Sequence, residues 1–399
     1  MTAATTPRRK ATFPGATAIA GIGATEFSKD SGRSELRLAC EAVMAALADA
    51  GLAPADVDGI STFMMDNNPE IEVARAIGTG PLRFFSRVHY GGGAACAVVM
   101  QAALAVASGA ADVVVCYRAM NERSQQRFGI GTTPTSAIAT TETAHFGWYA
   151  PFGLLTPASW VAMQGQRYLH DYGATTEDFG RVAVACRRHA ATNPQAWFYE
   201  KPITLADHQA SRWIVRPLRL LDCCQESDGA VAVVVTTLER ARDLKQPPAV
   251  IRAAAQGSSR DQQMMTSYYR DAIGDLPEMA DVARELYTQS GLGPKDFQTA
   301  VIYDHFTPFV LAQLEAFGFC GRGEAKDFIR DGAIELGGRL PINTHGGQLG
   351  EAYIHGMNGV AEGVRQVRGG AVNQVGSVEH VLVTAGTGVP TSAIIVGRD

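Results

Sequence analysis

Long apolar runs are missing from this sequence. No stretch of about 18 uninterrupted apolar residues occurs, so no transmembrane helix is expected and no membrane partner. No apolar segment follows the basic start MTAATTPRRKATFPG either, so residues 1–14 read as a flexible tail and not as a signal peptide. A basic surplus is absent: the net charge of −5 argues against nucleic acid and against an anionic membrane surface. Lysine is scarce. Its six copies, Lys10, Lys29, Lys201, Lys245, Lys295 and Lys326, fall outside every motif below, so a lysine imine is not expected. His, Cys, Asp and Glu show no metal-ligand spacing, and no metal or other cofactor is expected in this chain. The seven cysteines are an odd number, scattered mostly through apolar runs. They read as reduced, buried thiols in a reducing compartment, which suggests the cytoplasm. Adjacent Cys223 and Cys224 read as core thiols before a redox pair.

What is present is an ordinary globular composition, 46 % apolar and 19 % charged over 399 residues. That length suggests two or three domains, or one large internally duplicated one. The chain supports the duplication. Ala16–Phe27 reads as a strand, Ser34–Leu52 as a helix with Ser34 as N-cap and Gly51 as stop, and Val57–Met65 and Arg83–His89 as strands with a short helix, Glu70–Ile77, between them. Gly91–Gly93 then open a long apolar helix, Ala94–Ser108, expected to be buried on all sides, and Asp112–Tyr117 is a buried strand. Residues 120–221 break the pattern. Gly129–Thr143 lacks periodicity, Trp148, Tyr149, Phe152, Trp160, Tyr168 and Tyr172 cluster after it, and helices follow at about 158–172 and 176–192. This is expected to be an inserted excursion over the sheet, its aromatics filling core or lining an apolar pocket. Pro217–Val235 returns to the sheet.

The second half repeats the first, with strands at Ala249–Gln256 and Gln298–Asp304, a helix at Pro277–Gly291, a glycine-entered long helix at Gly350–Gly369, and strands at Val378–Ala385 and Thr391–Val396. Halves of 15–245 and 246–399, each burying a long central helix, predict a five-layered αβαβα sandwich of α/β class. Two places in the second half carry polar side chains at the ends of apolar elements. TAVIYDHFTPF, Thr299–Phe309, ends a strand in Tyr303, Asp304 and His305; NTHGGQLGEAYIHG, Asn343–Gly356, holds His345, Tyr353 and His355. Ligands of open α/β sheets bind where strand ends feed helices, so the two stretches predict one site for acid–base chemistry.

These segments carry a resemblance. RLLDCCQESDGAVAVVV is similar to the segment that closes the first half of the thiolase superfamily, in particular its sterol-carrier and lipid-transfer-type members. YDHFTPF falls where those proteins read His-Asp-Cys-Phe, INTHGGQLGEAYIHG where they read Asn-Pro-Ser-Gly-Gly and then Gly-His-Pro, and GTG, Gly386–Gly388, matches their glycine-rich oxyanion loop. The resemblance covers nearly the whole chain and implies the thiolase fold. The departures change the chemistry. Glycine stands where a thiolase has the nucleophilic Cys that opens the central helix, Cys96 lies a turn further in, and Tyr303 and Tyr353 replace the two histidines.

That pattern resembles the bacterial steroid side-chain-cleaving aldolases. It implies a carbon–carbon lyase that cleaves a β-hydroxyacyl-CoA, releasing a 17-ketosteroid and propionyl-CoA from a 17-hydroxy steroid side chain. It also implies a homodimer flanked by a small zinc-ribbon/OB-fold partner protein, giving a heterotetramer, with any zinc in the partner. By the resemblance Tyr303 and Tyr353 are catalytic, one taking the hydroxyl proton and the other protonating the α-carbon, with the assignment open. His305, His345, His355, Gly92 and Gly388 are expected to bind substrate, and the backbone around Gly92 and Gly388 to supply an oxyanion hole. Asp304 reads as a helix cap. Two alternatives stay open: an acetyl-CoA acyltransferase (thiolase) using Cys96, and a non-catalytic acyl-CoA or lipid carrier.

Overall fold

The computed structural model describes residues 13–125, 127, 146–263 and 265–399. The expected tail up to Thr12, the Gly129–Thr143 stretch and the Trp148 side chain lie outside the described residues. Phe13 is already part of the core.

Eleven strands are described: β1 (Thr17–Ala24), β2 (Gly59–Phe63), β3 (Phe84–Val88), β4 (Val113–Asn121), β5 (Trp213–Val215), β6 (Leu218–Arg219), β7 (Asp228–Thr237), β8 (Ala249–Gly257), β9 (Thr299–Val301), β10 (His380–Thr384) and β11 (Thr391–Gly397). β5 and β6 form a separate hairpin; the other nine form one ladder, β3-β2-β4-β7-β1-β8-β11-β10-β9. The order is a palindrome of roles. On one side β2 and β4 pair in parallel and β4, β7 and β1 antiparallel; on the other β9 and β10 pair in parallel and β10, β11 and β8 antiparallel. Within the ladder β1 and β8 join the two copies through the pairs Ala18 with Val250 and Ile19 with Ala249.

Side-chain alternation along these strands builds the layers. On β4, Val114 and Cys116 face the inner core, while Val113, Val115 and Tyr117 face the outside of the first half. On β10, Val381 and Val383 face the same inner core and Leu382 the outside of the second half. Helices α3 (Ala95–Ala107) and α8 (Met357–Arg368) lie in the inner core and touch strands of both halves. Helix α1 (Glu35–Ala50), with α2 (Glu70–Ile77) beside it, covers the first half's outer face; α4 (Pro157–Tyr172), α5 (Thr176–Ala191), α6 (Pro277–Ser290) and α7 (Thr307–Ala316) cover the second. The result is the expected five layers. Sequence logic fixes α1 closely: the Ser34 hydroxyl accepts from the Arg37 N–H, Leu38, Ala42, Val43, Ala46 and Leu47 make the buried stripe, and Gly51 ends the helix at φ 77°.

Three expectations are corrected. Helix α3 is not buried on all sides, because Leu104 on its outward stripe is 37 % exposed. The strand expected over Gln298–Asp304 leaves the ladder after Val301, because side chains take over its backbone groups. Asn343 accepts from the Ile302 N–H and donates to the Ile302 carbonyl, each at 2.8 Å. Thr384 Oγ1 accepts from the Tyr303 N–H at 2.9 Å, and Gln313 Nε2 donates to its carbonyl at 2.7 Å. Third, Gly350–Gly369 is not one helix. A short turn of helix, Gly347–Gly350, stops, and the chain passes through His355 (φ 49°) and Gly356 (φ 88°) before α8 begins. That break lifts Tyr353 and His355 out of the helix and toward the first half. The aromatic cluster divides: Trp160 lines a cavity, Tyr168 is core with its hydroxyl donating to Glu315, and Phe152 is exposed.

Candidate active site

A cavity of about 750 Å³ opens where the glycine-gated start of α3, the His305 segment and the loop before α8 converge. Met65, Leu155, Trp160, Ile214, Leu220 and Met265 give it apolar walls, and Arg123, Arg127 and Arg212 stand among its lining residues as cations. Gly92, His305, Tyr353, His355 and Gly388 all line it. Tyr303 lies directly beneath, 3 % exposed, with its hydroxyl 3.5 Å from that of Tyr353, to which it donates.

The Tyr303 ring sits in a slot made by missing side chains. A Cβ at Gly92 would fall 1.7 Å from its hydroxyl oxygen, one at Gly386 2.7 Å from Cε1, and one at Gly356 2.9 Å from Cε2. No side chain fits at position 92 while Tyr303 occupies this slot, so glycine and tyrosine are one paired choice. Burial pushes both phenols well above the ordinary tyrosine range, and they rest neutral.

The histidines behave differently from one another. His305 is 4 % exposed, packs against Tyr303, Phe306 and Phe309, and neither ring nitrogen has a hydrogen-bond partner among the described residues. Leaving a buried donor or acceptor unmade costs about 1–3 kcal/mol, so a nitrogen pair kept in this state on a cavity wall is suited to ligand atoms. His355 receives the Arg118 Nε–H on Nδ1 at 3.0 Å. A guanidinium only donates, so Nδ1 is an acceptor and the ring is neutral with its proton on Nε2. Arg118 in turn donates to Asp66 Oδ2 at 2.9 Å, and both are buried. His345 does not join the cavity. It lies in a buried polar cluster 3.8 Å from Glu351 Oε2, and its carbonyl accepts from Asn193. Asp304 caps, but not the helix that follows it: it accepts from the Gln348 and Leu349 N–H groups at 2.8 and 3.3 Å. Gly388 lines the cavity, and its carbonyl accepts from Gln262 and Thr391.

Cys96 lines no part of the cavity. It is fully buried between the sheets, its thiol donates to the Val383 carbonyl at 3.4 Å, and burial raises it far from thiolate formation. Sequence reasoning missed Asp66 and Arg118. The one available signal was an arginine inside the otherwise apolar strand VVVCYRAM. Among the described residues no group of three or more His, Cys, Asp or Glu is placed to hold a metal ion, and no helix is long and apolar enough to cross a membrane.

The buried histidines set an acid limit. Burial holds His305 and His345 at about 3 and His189 at about 4, against about 6.5 unfolded. Below about pH 6.5 the unfolded chain therefore binds more protons than the folded one, and stability falls as pH drops. Glu351, pushed up to about 7, Asp304, up to about 6, and Glu122 and Glu278, also raised by burial, act oppositely in the same window, but with His355 and His380 likewise lowered by burial the histidines outnumber these acids five to four. The thermal unfolding midpoint is expected to rise from about pH 4.5 to about pH 6.5; a flat or falling midpoint there contradicts neutral buried rings.

The thiolase N-terminal domain model matches residues 17–239 and the thiolase C-terminal domain-like model residues 258–397. The chain is 68 % identical to a steroid side-chain-cleaving aldolase of Thermomonospora curvata over 97 % of this chain and 99 % of that one. It is also 68 % identical to a 17-hydroxy-3-oxo-4-pregnene-20-carboxyl-CoA lyase of Mycobacterium tuberculosis, over 96 % and 99 %. The solved Ltp2-ChsH2(DUF35) aldolase superposes with a TM-score of 0.94 at 67 % identity, covering 98 % of this chain and 99 % of that one. With both domains matched in order, and with full-length relatives at this identity, the chain belongs to the thiolase family.

Proposed function

We propose that the chain is a retro-aldolase that cleaves the side chain of 17-hydroxy-3-oxo-4-pregnene-20-carboxyl-CoA to a 17-ketosteroid and propionyl-CoA. The observation that carries this reading is the pair of tyrosine hydroxyls 3.5 Å apart at the floor of a cavity that Cys96 does not reach. The activities of the two 68 % identical relatives support the same substrate.

The reaction moves one proton from the β-hydroxyl oxygen to the α-carbon and makes or consumes none overall. A lone neutral phenol is a weak base, but two in contact need only pass a proton along. In this reading Tyr303 takes the hydroxyl proton as the carbon–carbon bond breaks, Tyr353 delivers one to the α-carbon, and their contact resets the pair. The backbone at Gly92 and Gly388, with neutral His305 and His355, holds the thioester oxygen while it carries charge.

CoA enters as part of the substrate, and the chain needs no cofactor of its own. The solved Ltp2-ChsH2(DUF35) aldolase supports a DUF35-type partner. We extend this to a cytoplasmic heterotetramer, a homodimer of this chain flanked by two small zinc-ribbon/OB-fold proteins, with the halves 15–245 and 246–399 as its two domains.

Omitting free CoA and replacing Cys96 with alanine test the reading against its rivals. Cleavage is expected to proceed without free CoA and within about twofold of wild type in Cys96→Ala. A requirement for free CoA, with the Cys96→Ala variant dead, identifies a thiolase. Saturable acyl-CoA binding without turnover identifies a carrier.

A further inference from the structure

Glu122 follows β4, is 4 % exposed, and lines the cavity, yet its Oε2 has no hydrogen-bond partner among the described residues. The proton transfers described above leave it unused. The charged and titratable groups facing it come from four directions: Lys29 from the segment after β1, Cys224 and Glu226 from the segment before β7, Arg118 from β4 itself, and Tyr353 from the loop before α8. Lys29 is engaged elsewhere, donating to Gln225 Oε1 at 2.9 Å and to the Glu226 carbonyl. Burial first, and the Glu226 carboxylate second, raise the Glu122 carboxyl well above the ordinary range, against the opposing Ser227 N–H, Arg118 and Lys29.

We propose that Glu122 is an oxyanion-hole donor, its buried carboxyl on the cavity wall giving a hydrogen bond to the thioester oxygen of a β-hydroxyacyl-CoA as the enolate forms. The proposal rests on the retro-aldol reading. There, the electron pair of the breaking carbon–carbon bond passes into the thioester carbonyl and makes an enolate oxygen. The β-hydroxyl proton goes to the tyrosine pair, and a tyrosine proton returns to the α-carbon as the carbonyl re-forms. The Glu122 proton stays on its own oxygen throughout. A buried acid suits this task because it donates strongly and brings no negative charge toward the enolate; its carboxylate would repel it.

An oxygen without a protein partner on the cavity wall stays available for a hydrogen bond to the substrate. The neighbouring Gln225 Nε2 is likewise without a partner among the described residues, so this corner presents two unused polar groups to whatever enters the cavity.

The test uses the chain in complex with its DUF35-type partner, with the 17-hydroxy acyl-CoA as substrate, and compares wild type, Glu122→Gln and Glu122→Ala from about pH 6 to pH 10. Glu122→Ala is expected to lower kcat about 10²–10³-fold with KM within about threefold, the usual effect of removing one oxyanion donor. Wild-type kcat is expected to fall at alkaline pH as the acid ionises. Glu122→Gln keeps a neutral N–H donor, so it loses less than the alanine variant and shows no alkaline fall. A purely structural role for Glu122 would not remove that limb. An alkaline limb unchanged in Glu122→Gln, a wild type without one, or a folded Glu122→Ala within a few-fold of wild type each overturns the proposal. If Glu122→Ala does not fold, the near-isosteric Glu122→Gln decides alone. No cleavage by the wild-type complex removes the retro-aldol reading as well; cleavage with an unchanged limb removes only the role of Glu122.

Discussion

Tyr353→Phe is expected to lower turnover at least about a hundredfold while leaving the fold intact, since removing a general acid or base commonly costs 10²–10⁴ in rate. The substitution deletes one oxygen from a ring that lines the cavity. It keeps the edge-on contact with His355 at 5.2 Å and the backbone N–H bond to Ser227. Nothing in the packing gives way, so the loss is chemical. Tyr303→Phe is expected to lose as much. On the proposed mechanism the two hydroxyls act as one proton-carrying unit, so the double variant is expected to be no worse than the slower single one, well short of the product of the two losses. Single-turnover cleavage rates at saturating substrate measure this. A variant within a few-fold of wild type removes that tyrosine from the mechanism, and multiplicative losses break the unit into independent groups.

Gly92→Ala is expected to be as damaging for the opposite reason. It takes nothing away and adds one methyl group, 1.7 Å from the Tyr303 hydroxyl oxygen and 2.3 Å from Cζ. The ring has little room to retreat, because its two edges face Gly386 and Gly356 so closely that a Cβ at either would lie 2.7 or 2.9 Å from it. Accommodating the methyl therefore moves Tyr303 by more than about 1 Å, a displacement that alone costs on the order of a hundredfold in rate. Overpacking of this kind destabilises by about 1–3 kcal/mol. Shrinking the ring in Gly92→Ala/Tyr303→Ala should restore the unfolding midpoint toward wild type without restoring turnover. An active Gly92→Ala enzyme would mean that Tyr303 is not held in the slot.

Much of this was legible in the sequence, and the reasons are local. The duplication shows because each half repeats a strand, a glycine gate and an apolar helix, and the β2-β4-β7-β1 and β9-β10-β11-β8 orders follow from it. Tyr303 and Tyr353 stand out because they interrupt an apolar strand end and a glycine-rich turn. The misses are non-local. Ile302 leaves the ladder because the Asn343 side chain, 41 positions away, imitates a neighbouring strand, and no local pattern encodes that. Arg118 reaches His355 across 237 positions and Asp66 across 52. His345 shares its glycine-rich turn with Tyr353, but Gly346 at φ 112° turns the chain so that His345 faces Glu351 and not the cavity. Nothing in the local sequence singles out Glu122; its burial and unpaired oxygen are visible only in the structure.

On the proposed mechanism two tyrosines, without a nucleophilic thiol, break a carbon–carbon bond. Incubating the chain, together with the DUF35-type partner proposed for it, with 17-hydroxy-3-oxo-4-pregnene-20-carboxyl-CoA, and quantifying products by mass, tests this. The expected result is equal amounts of 17-ketosteroid and propionyl-CoA, with one solvent deuterium at the propionyl α-carbon when the reaction is run in D₂O, and both products formed at least about a hundredfold more slowly by Tyr303→Phe and Tyr353→Phe. A folded complex that binds the CoA ester and leaves it whole, or one that cleaves it equally well without either tyrosine, contradicts the account.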